Sequence, residues 1–137
     1  MLSEECPRII LNNAMALTDF NDPQKQSLVD LLVLGMYADG NLDLIEDEKA
    51  RMVLDSINFS SDSARQYFLD ASFARARKYN ASLESTRKYL ADLAKKFPTP
   101  AMRREARQIL EDSLSSDRKI ADGEARLLAV VAEEFKL

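Results

Sequence analysis

The sequence predicts an all-α fold, a single-domain bundle of about six to seven helices built from a duplicated helix–acidic loop–helix unit. Three observations carry this prediction. The 137 residues include only three Gly and four Pro, too few for the many turns of an all-β domain. Apolar residues recur at helical spacing along the chain. One pattern of apolar and acidic residues occurs twice. The length fits one domain, residues 1–137.

Helix boundaries in the first half follow from capping residues. A first helix is predicted over residues 3–18. The second begins with Asp22 as N-cap and Pro23 at the first helical position, and it ends at Asp39-Gly40, where Gly can adopt the left-handed cap. A third helix is predicted from about Leu44 to residue 57.

The second half is divided in the same way. Ser61 is the predicted cap of a fourth helix that runs to residue 79, and a fifth helix covers about residues 82–97. Thr99 caps the sixth, with Pro100 at its first position, and the seventh spans roughly residues 121–136. Aromatic and methionine side chains on the apolar stripes are predicted to lie in the core: Met36, Met52, Phe68, Phe73, Tyr89 and Phe97.

The repeat appears when Asp39 is aligned with Asp117. Apolar residues then match at every helical slot on both sides: Leu28, Leu31, Leu32, Met36, Ala50, Val53, Leu54 and Ile57 correspond to Ala106, Ile109, Leu110, Leu114, Leu128, Val131, Ala132 and Phe135. Repeat one covers about residues 22–58 and repeat two about residues 100–137. Four residues before each Asp lies a small side chain, Gly35 or Ser113, which predicts a close crossing of helices.

Each repeat carries an acidic loop whose side chains offer oxygen donors, the ligands that Ca²⁺ and Mg²⁺ prefer. The candidate metal ligands are Asp39, Asn41, Asp43 and Glu46 in the first loop and Asp117, Asp122 and Glu124 in the second. The first loop is not an EF-hand, because Leu44 and Ala50 stand where that loop needs Gly and Glu. Lys119 replaces a donor in the second loop, so we expect the first loop to bind a cation better.

The two loop sequences resemble the TerB-like family, which is associated with tellurite resistance. The matching strings are Ala38-Asp39-Gly40-Asn41-Leu42 followed by Glu46, and Asp117-Arg118-Lys119-Ile120 followed by Glu124. The resemblance covers about residues 22–137. It implies an internally duplicated helical fold, an acidic metal-type site and an association with membrane-linked stress complexes. The second copy departs from the family pattern, since Arg118 follows Asp117 where the family has Gly, which puts the equivalence of the two sites in doubt.

The acidic residues have a second interpretation. Asp43 and Glu46 have the spacing of a capping box at the start of the third helix, and acids in a first turn suit the helix dipole. Capping and metal ligation are compatible if different oxygens serve each. Both interpretations therefore stay open.

Charge is unevenly distributed along the chain. Residues 65–107 hold eleven Lys and Arg against four acids, while the whole chain has a net charge of −4. These bases are either the solvated faces of helices or a surface for peripheral association with anionic lipid heads or an acidic partner. The negative total charge and the lack of a recognition motif disfavour nucleic acid.

Several chemistries are excluded by composition. The chain has no His and one Cys, Cys6, which excludes Ser–His–Asp triads and a cysteine-ligated zinc cluster. No phosphate-binding glycine loop is present, so we expect no catalytic residues and no organic cofactor. The acidic start lacks a signal-peptide apolar region and the longest apolar run has eight residues, which predicts a cytoplasmic protein.

Taken together, these patterns predict a non-enzymatic, stress-linked helical module that binds a divalent cation through its acidic loops and interacts with partner proteins. The alternative is a metal-independent structural or scaffolding module in which the acids serve as caps.

Overall fold

A computed structural model describes residues 17–39, 48–114 and 122–137, and over these residues the chain is helical with no strand. A 3-10 turn at Leu17–Asp19 precedes six α-helices. They are α1 (Asp22–Asp39), α2 (Glu48–Asp55), α3 (Asp62–Tyr79), α4 (Leu83–Ala94), α5 (Pro100–Leu114) and α6 (Asp122–Glu134). The predicted all-α fold class is confirmed.

The predicted boundaries agree with these helices to within a few residues, except at the start of the chain. Most of the first predicted helix, residues 3–16, lies outside the described residues, and its last part forms the 3-10 turn. The predicted start of the third helix, at residues 44–47, also lies outside them. The fifth predicted helix ends early, since α4 stops at Ala94 and a turn leads into Phe97.

Two predicted N-caps, Ser61 and Thr99, are confirmed. The Ser61 hydroxyl accepts a hydrogen bond from the Ala64 N–H at 3.0 Å. The Thr99 hydroxyl accepts one from the Met102 N–H at 3.1 Å. Ser82, which the sequence predicts only as the approximate start of a helix, also caps α4, in a reciprocal pair with Ser85. Each cap satisfies a backbone donor that the first helical turn leaves without an intrahelical partner.

The prediction of Asp22 as the cap of α1 is wrong by one residue. The Asn21 side-chain oxygen accepts from the Gln24 N–H at 2.9 Å, and the Gln24 side-chain oxygen accepts from the Asn21 N–H at 2.9 Å. This reciprocal capping box starts the helix one residue earlier than expected. Asp22 is therefore the first helical residue and Pro23 the second.

Helix α1 is the centre of the bundle. Its residues 27–36 are all buried, and it packs against each of the other five helices. A helix that is apolar on nearly every side needs such an enclosed position. The outer helices surround α1, and the buried apolar residues form one cluster.

Aromatic side chains close one end of this core. The Phe97 ring lies 5.9 Å from that of Phe20 and 6.0 Å from that of Phe135, measured between ring centroids. Phe68 and Phe73 are half-buried against the core, and Tyr89 and Met36 are buried. The prediction that Met52 is a core residue is wrong, because 49% of its surface is exposed. The short helix α2 turns its Val53 face inward and leaves Met52 on the outer side.

Burial of the matched positions agrees with the proposed register of the repeat. Of the sixteen matched apolar residues only Ala132 is half-buried, and all the others are buried. Burial alone does not establish the duplication of the unit, which stays a prediction.

Candidate functional site

The predicted metal ligands lie at the edges of the described structure or beyond them. Asn41, Asp43, Glu46 and Asp117 are outside the described residues. The backbone places Asp39 at the last position of α1, and it places Asp122 and Glu124 in the first turn of α6, without a description of these three side chains. What the structure describes of the candidate cation site is therefore the position of the helix ends that flank it.

The described ends of α1 and α5 lie side by side. A Cβ atom added to Gly35 would stand 2.8 Å from Leu110 Cδ1 and 3.3 Å from Leu114 Cδ2. The first distance is too short for two carbon atoms, so a larger residue at this position would require the Leu110 side chain to shift, and glycine leaves room for α5 to pack closely on α1. The close crossing predicted at Gly35 is confirmed. Gly35 lies four residues before the end of α1, and Leu114 is the last residue of α5, so both acidic segments follow helix ends that are close neighbours.

The start of α2, which follows the first acidic segment, also lies beside the end of α5. The Lys49 ammonium, at the start of α2, lies 3.8 Å from the Asp112 carboxylate near the end of α5. This exposed pair contributes little energy, but it shows where α2 begins. Both flanks of the first acidic segment thus contact the last turns of α5.

Two carboxylates of α5, Glu105 and Asp112, influence each other electrostatically. The pKa of Glu105 is raised above its ordinary value, first because the carboxyl is partly buried and second because the Asp112 carboxylate repels a second negative charge. Lys49 opposes this shift. In addition, the C-terminal ends of α1 and α5 each carry the partial negative charge of a helix dipole. The surroundings of these helix ends favour a cation.

The described side chains offer no candidate metal centre. Among those side chains, no three Cys, Asp or Glu groups lie close enough to one another to hold an ion. The candidate ligands that the sequence offers are therefore confined to the two acidic segments.

A buried polar cluster joins α1 to α3 and was not predicted. The Asp30 carboxylate, on α1, accepts a hydrogen bond from the Ser72 hydroxyl at 2.6 Å and another from the Arg75 guanidinium at 2.8 Å. Asp30 interrupts an otherwise apolar stretch of α1, and this was the one sequence signal for the cluster. Its partners are 42 and 45 residues away, so the sequence alone did not identify them.

Tyr89, on α4, lies beside this cluster. Burial raises the pKa of its phenol to about 12, and the nearby Asp30 carboxylate adds to the shift, while Arg75 opposes it. The hydroxyl is buried and forms no hydrogen bond of good geometry, although the Arg75 guanidinium is close enough to influence it. The ring stacks on Tyr79 at 4.6 Å between centroids. These contacts join α1, α3 and α4.

Nearly half of the basic residues between 65 and 107 form ion pairs within the fold. Five of the eleven pair with acidic side chains at 4 Å or less: Arg65, Arg75, Arg87, Lys95 and Arg107. Arg103 donates to the Phe97 carbonyl oxygen at 2.8 Å. These contacts favour the interpretation of the stretch as paired and solvated helix faces. Peripheral membrane association through it stays a prediction.

A groove of about 460 Å³ lies next to the flanks of the acidic segments. It is lined by Tyr37, two residues before the end of α1, and by Arg126, Leu127 and Val130 in the middle of α6. The turn between α3 and α4, with Leu83, forms the floor and rim. The sequence analysis did not identify this groove, because its walls come from distant parts of the chain.

No described helix is long and apolar enough to cross a bilayer. Comparison of the chain with protein-family models, with curated proteins and with solved structures found no match. The resemblance to the TerB-like family therefore rests on the two acidic strings alone and stays a prediction.

Proposed function

We propose that this chain is a non-enzymatic helical module that binds a divalent cation, Ca²⁺ or Mg²⁺, through the acidic segments 39–46 and 117–124 and that contacts partner proteins. The observation that carries the proposal is the adjacency of the ends of α1 and α5 at Gly35 and Leu114. The first acidic segment begins at Asp39, the last residue of α1, and the second begins three residues after Leu114, the last residue of α5. The link to stress and tellurite resistance comes from the family resemblance and is proposed on that basis only.

Adjacency matters because neither acidic segment offers a complete ligand set. Ca²⁺ takes six to eight oxygen ligands, and the first segment supplies four candidate side chains. Segments that start from neighbouring helix ends can share one ion, or bind two ions close together, with water completing the coordination. The partial negative charge of the two helix ends supports the same proposal.

Calorimetric titration with CaCl₂ and with MgCl₂ tests the cation site. We expect Asp39→Ala to weaken binding roughly tenfold or more, in line with the loss of groups that hold a metal in place, and Asp117→Ala to weaken it less. Asp92→Ala is the matched control, since Asp92 is an exposed acid on α4 that forms a 3.8 Å pair with Lys95. A larger loss from Asp117→Ala would overturn the ranking, and a loss from Asp92→Ala as large as that from Asp39→Ala would overturn the site.

The alternative function is a metal-independent structural or scaffolding module. The observation that favours it is the use of a polar side chain just before the helix at Asn21, Ser61, Ser82 and Thr99, which is the role that a capping box would give to Asp43. This alternative predicts the same melting temperature in Ca²⁺ and in chelator, together with a loss of about 1 kcal/mol of stability in Asp43→Ala. Cation binding instead predicts a stabilisation of about 2.7 kcal/mol at a hundred times the dissociation constant.

A further inference from the structure

We infer that residues 58–71 form a lid over one side of the core and that this lid opens while the rest of the chain stays folded. The lid comprises the end of the link between α2 and α3 and the first ten residues of α3. Its boundaries are Ile57 and Ser72, which are both buried. This inference goes beyond the proposed function and does not depend on the cation site.

The lid has few apolar contacts with the core. None of the 14 residues from 58 to 71 is buried, and no longer run without a buried residue occurs in the described part of the chain. Phe59, Phe68 and Leu69 are half-buried against the core, and the two Phe rings lie 5.6 Å apart between centroids. Hydrophobic stabilisation scales with the apolar area removed from water, and local unfolding costs least where such burial is small.

The polar contacts of the lid are also weak. Arg65 pairs with Asp55 of α2 at 2.8 Å, but the two side chains are 36% and 58% exposed, and exposed pairs contribute little to stability. The hydrogen bond of 2.9 Å between Gln66 and Asp70 joins two residues of the lid, so it does not fasten the lid to another helix. We therefore expect the lid to open at a low cost in free energy.

The second half of α3 is anchored much better. The Asp30 carboxylate of α1 accepts hydrogen bonds from Ser72 and Arg75, and bonds to an ionised acceptor are stronger than neutral ones. The Tyr79 carbonyl oxygen, at the end of α3, accepts from the Ser85 hydroxyl of α4 at 2.7 Å. Opening that begins in the lid should therefore stop at Ser72, where the contact with Asp30 acts as a clamp.

The test is hydrogen exchange of the ¹⁵N-labelled full chain in EDTA, followed by NMR and corrected for intrinsic exchange rates. The lid amides, residues 66–71, should exchange at least about tenfold faster than the anchor amides, residues 76–79, and than residues 29–34 of α1. The two groups in α3 are matched, because ordinary fraying acts on both ends of a helix. Equal exchange of the lid and anchor amides, or lid amides as slow as those of α1, would overturn the inference.

Two variants test the clamp and the lid separately. Ser72→Ala should accelerate exchange of the anchor amides at least about threefold, because it removes a hydrogen bond of the clamp. It should leave the lid amides unchanged, because they open without breaking the clamp. Gln66→Gly, which replaces an exposed residue of the lid by a poor helix former, should accelerate the lid amides roughly threefold and leave the anchor amides unchanged.

Arg77→Gly is the matched control for Gln66→Gly, since it makes the same kind of change at an exposed residue in the second half of α3. It should accelerate the anchor amides and leave the lid amides unchanged. Acceleration of both groups by the same factor in any of the three variants would show that α3 opens as one unit and would contradict the inference. No effect of Ser72→Ala on the anchor amides would remove the clamp and contradict it as well.

Discussion

Helices α1 and α5 open the two predicted repeat units, yet they lie in different environments. Each helix has one apolar face whose positions match in the two repeats. This shared face is buried in both helices, for example at Leu32 of α1 and its match Leu110 of α5. On the other face, α1 is buried at Val33 and Leu34, whereas α5 has Glu111 and Asp112 at the aligned positions. These charged residues are half-exposed and join i,i+4 pairs with Arg107 and Gln108.

The comparison shows that the same apolar pattern on one face can occur in a helix at the centre of a bundle and in a helix at its periphery. The shared face packs each helix into the core, and the second face decides whether a helix is central or peripheral. A central α1 needs the second face to be apolar, with the exception of Asp30, and a peripheral α5 needs it to be solvated. Substitutions at aligned positions of the second face should therefore have unequal effects.

The largest expected difference is at Leu34 and Asp112. Leu34→Ala should lower the free energy of unfolding by about 3 kcal/mol, because it leaves a cavity in a fully buried site. Asp112→Ala should change it by less than about 0.5 kcal/mol, because Asp112 has exposed, weak contacts. Urea unfolding followed by circular dichroism measures both values. Equal losses would mean that α1 and α5 are not central and peripheral as described.

A smaller difference is expected at Asp30 and Gln108, which are also aligned. Asp30→Ala removes the acceptor of Ser72 and Arg75 and should cost about 2 kcal/mol, less than for a fully buried ion pair because the Arg75 side chain is 38% exposed. Gln108→Ala should cost less than about 0.5 kcal/mol, since Gln108 is exposed.

A double-mutant cycle of Asp30→Ala with Arg75→Ala sharpens this comparison. The cycle should give a coupling free energy of at least about 0.5 kcal/mol, as expected for residues in contact. Strict additivity of the two changes would show that the contact contributes nothing to stability.

The smallest effect at neutral pH is expected for Tyr89→Phe, which tests the electrostatics of the same polar cluster. The hydroxyl has no good hydrogen bond, so its removal should change stability by less than about 0.5 kcal/mol at pH 7. The folded-state pKa of Tyr89 is about 12, against an ordinary 10.0. The fold therefore favours the neutral phenol, and this contribution is complete below pH 10 and is lost as the pH rises towards 12.

The measurement is urea unfolding at pH 9 and pH 11. The native sequence should lose about 1 kcal/mol more than Tyr89→Phe over this interval. Tyr67→Phe is the control, because Tyr67 is 79% exposed and its removal should leave the pH dependence unchanged. The same pH dependence in the native chain and in Tyr89→Phe would show that the phenol is not held in the neutral form.

The sequence predicted what depends on neighbours along the chain. Ser61 and Thr99 were identified as caps because a cap and its N–H partner are three residues apart. Gly35 was identified as a crossing point because a small residue in an apolar stripe has few other uses. The error at Asp22 arose from the same local logic, because Asn21 and Asp22 are both good caps and only the reciprocal bonds of Gln24 select Asn21.

What depends on distant neighbours was not predicted. The partners of Asp30 and the walls of the groove come together only when α1, α3, α4 and α6 pack. Met52 has the spacing of a core residue on a helix too short to bury more than one face. The ligands of the candidate cation site were proposed from sequence, and the structure adds the position of the helix ends that flank them.

The most direct test of the cation site is paramagnetic relaxation by Mn²⁺, added at substoichiometric amounts to the ¹⁵N-labelled chain. The site proposed between the ends of α1 and α5 predicts loss of the amide signals of Gly35 and Leu114, with the signals of Phe97 and Phe135, in the aromatic cluster at Phe20, unaffected. Signal loss that is uniform, that is centred on Phe97 and Phe135, or that is absent at saturating Mn²⁺ would contradict the account.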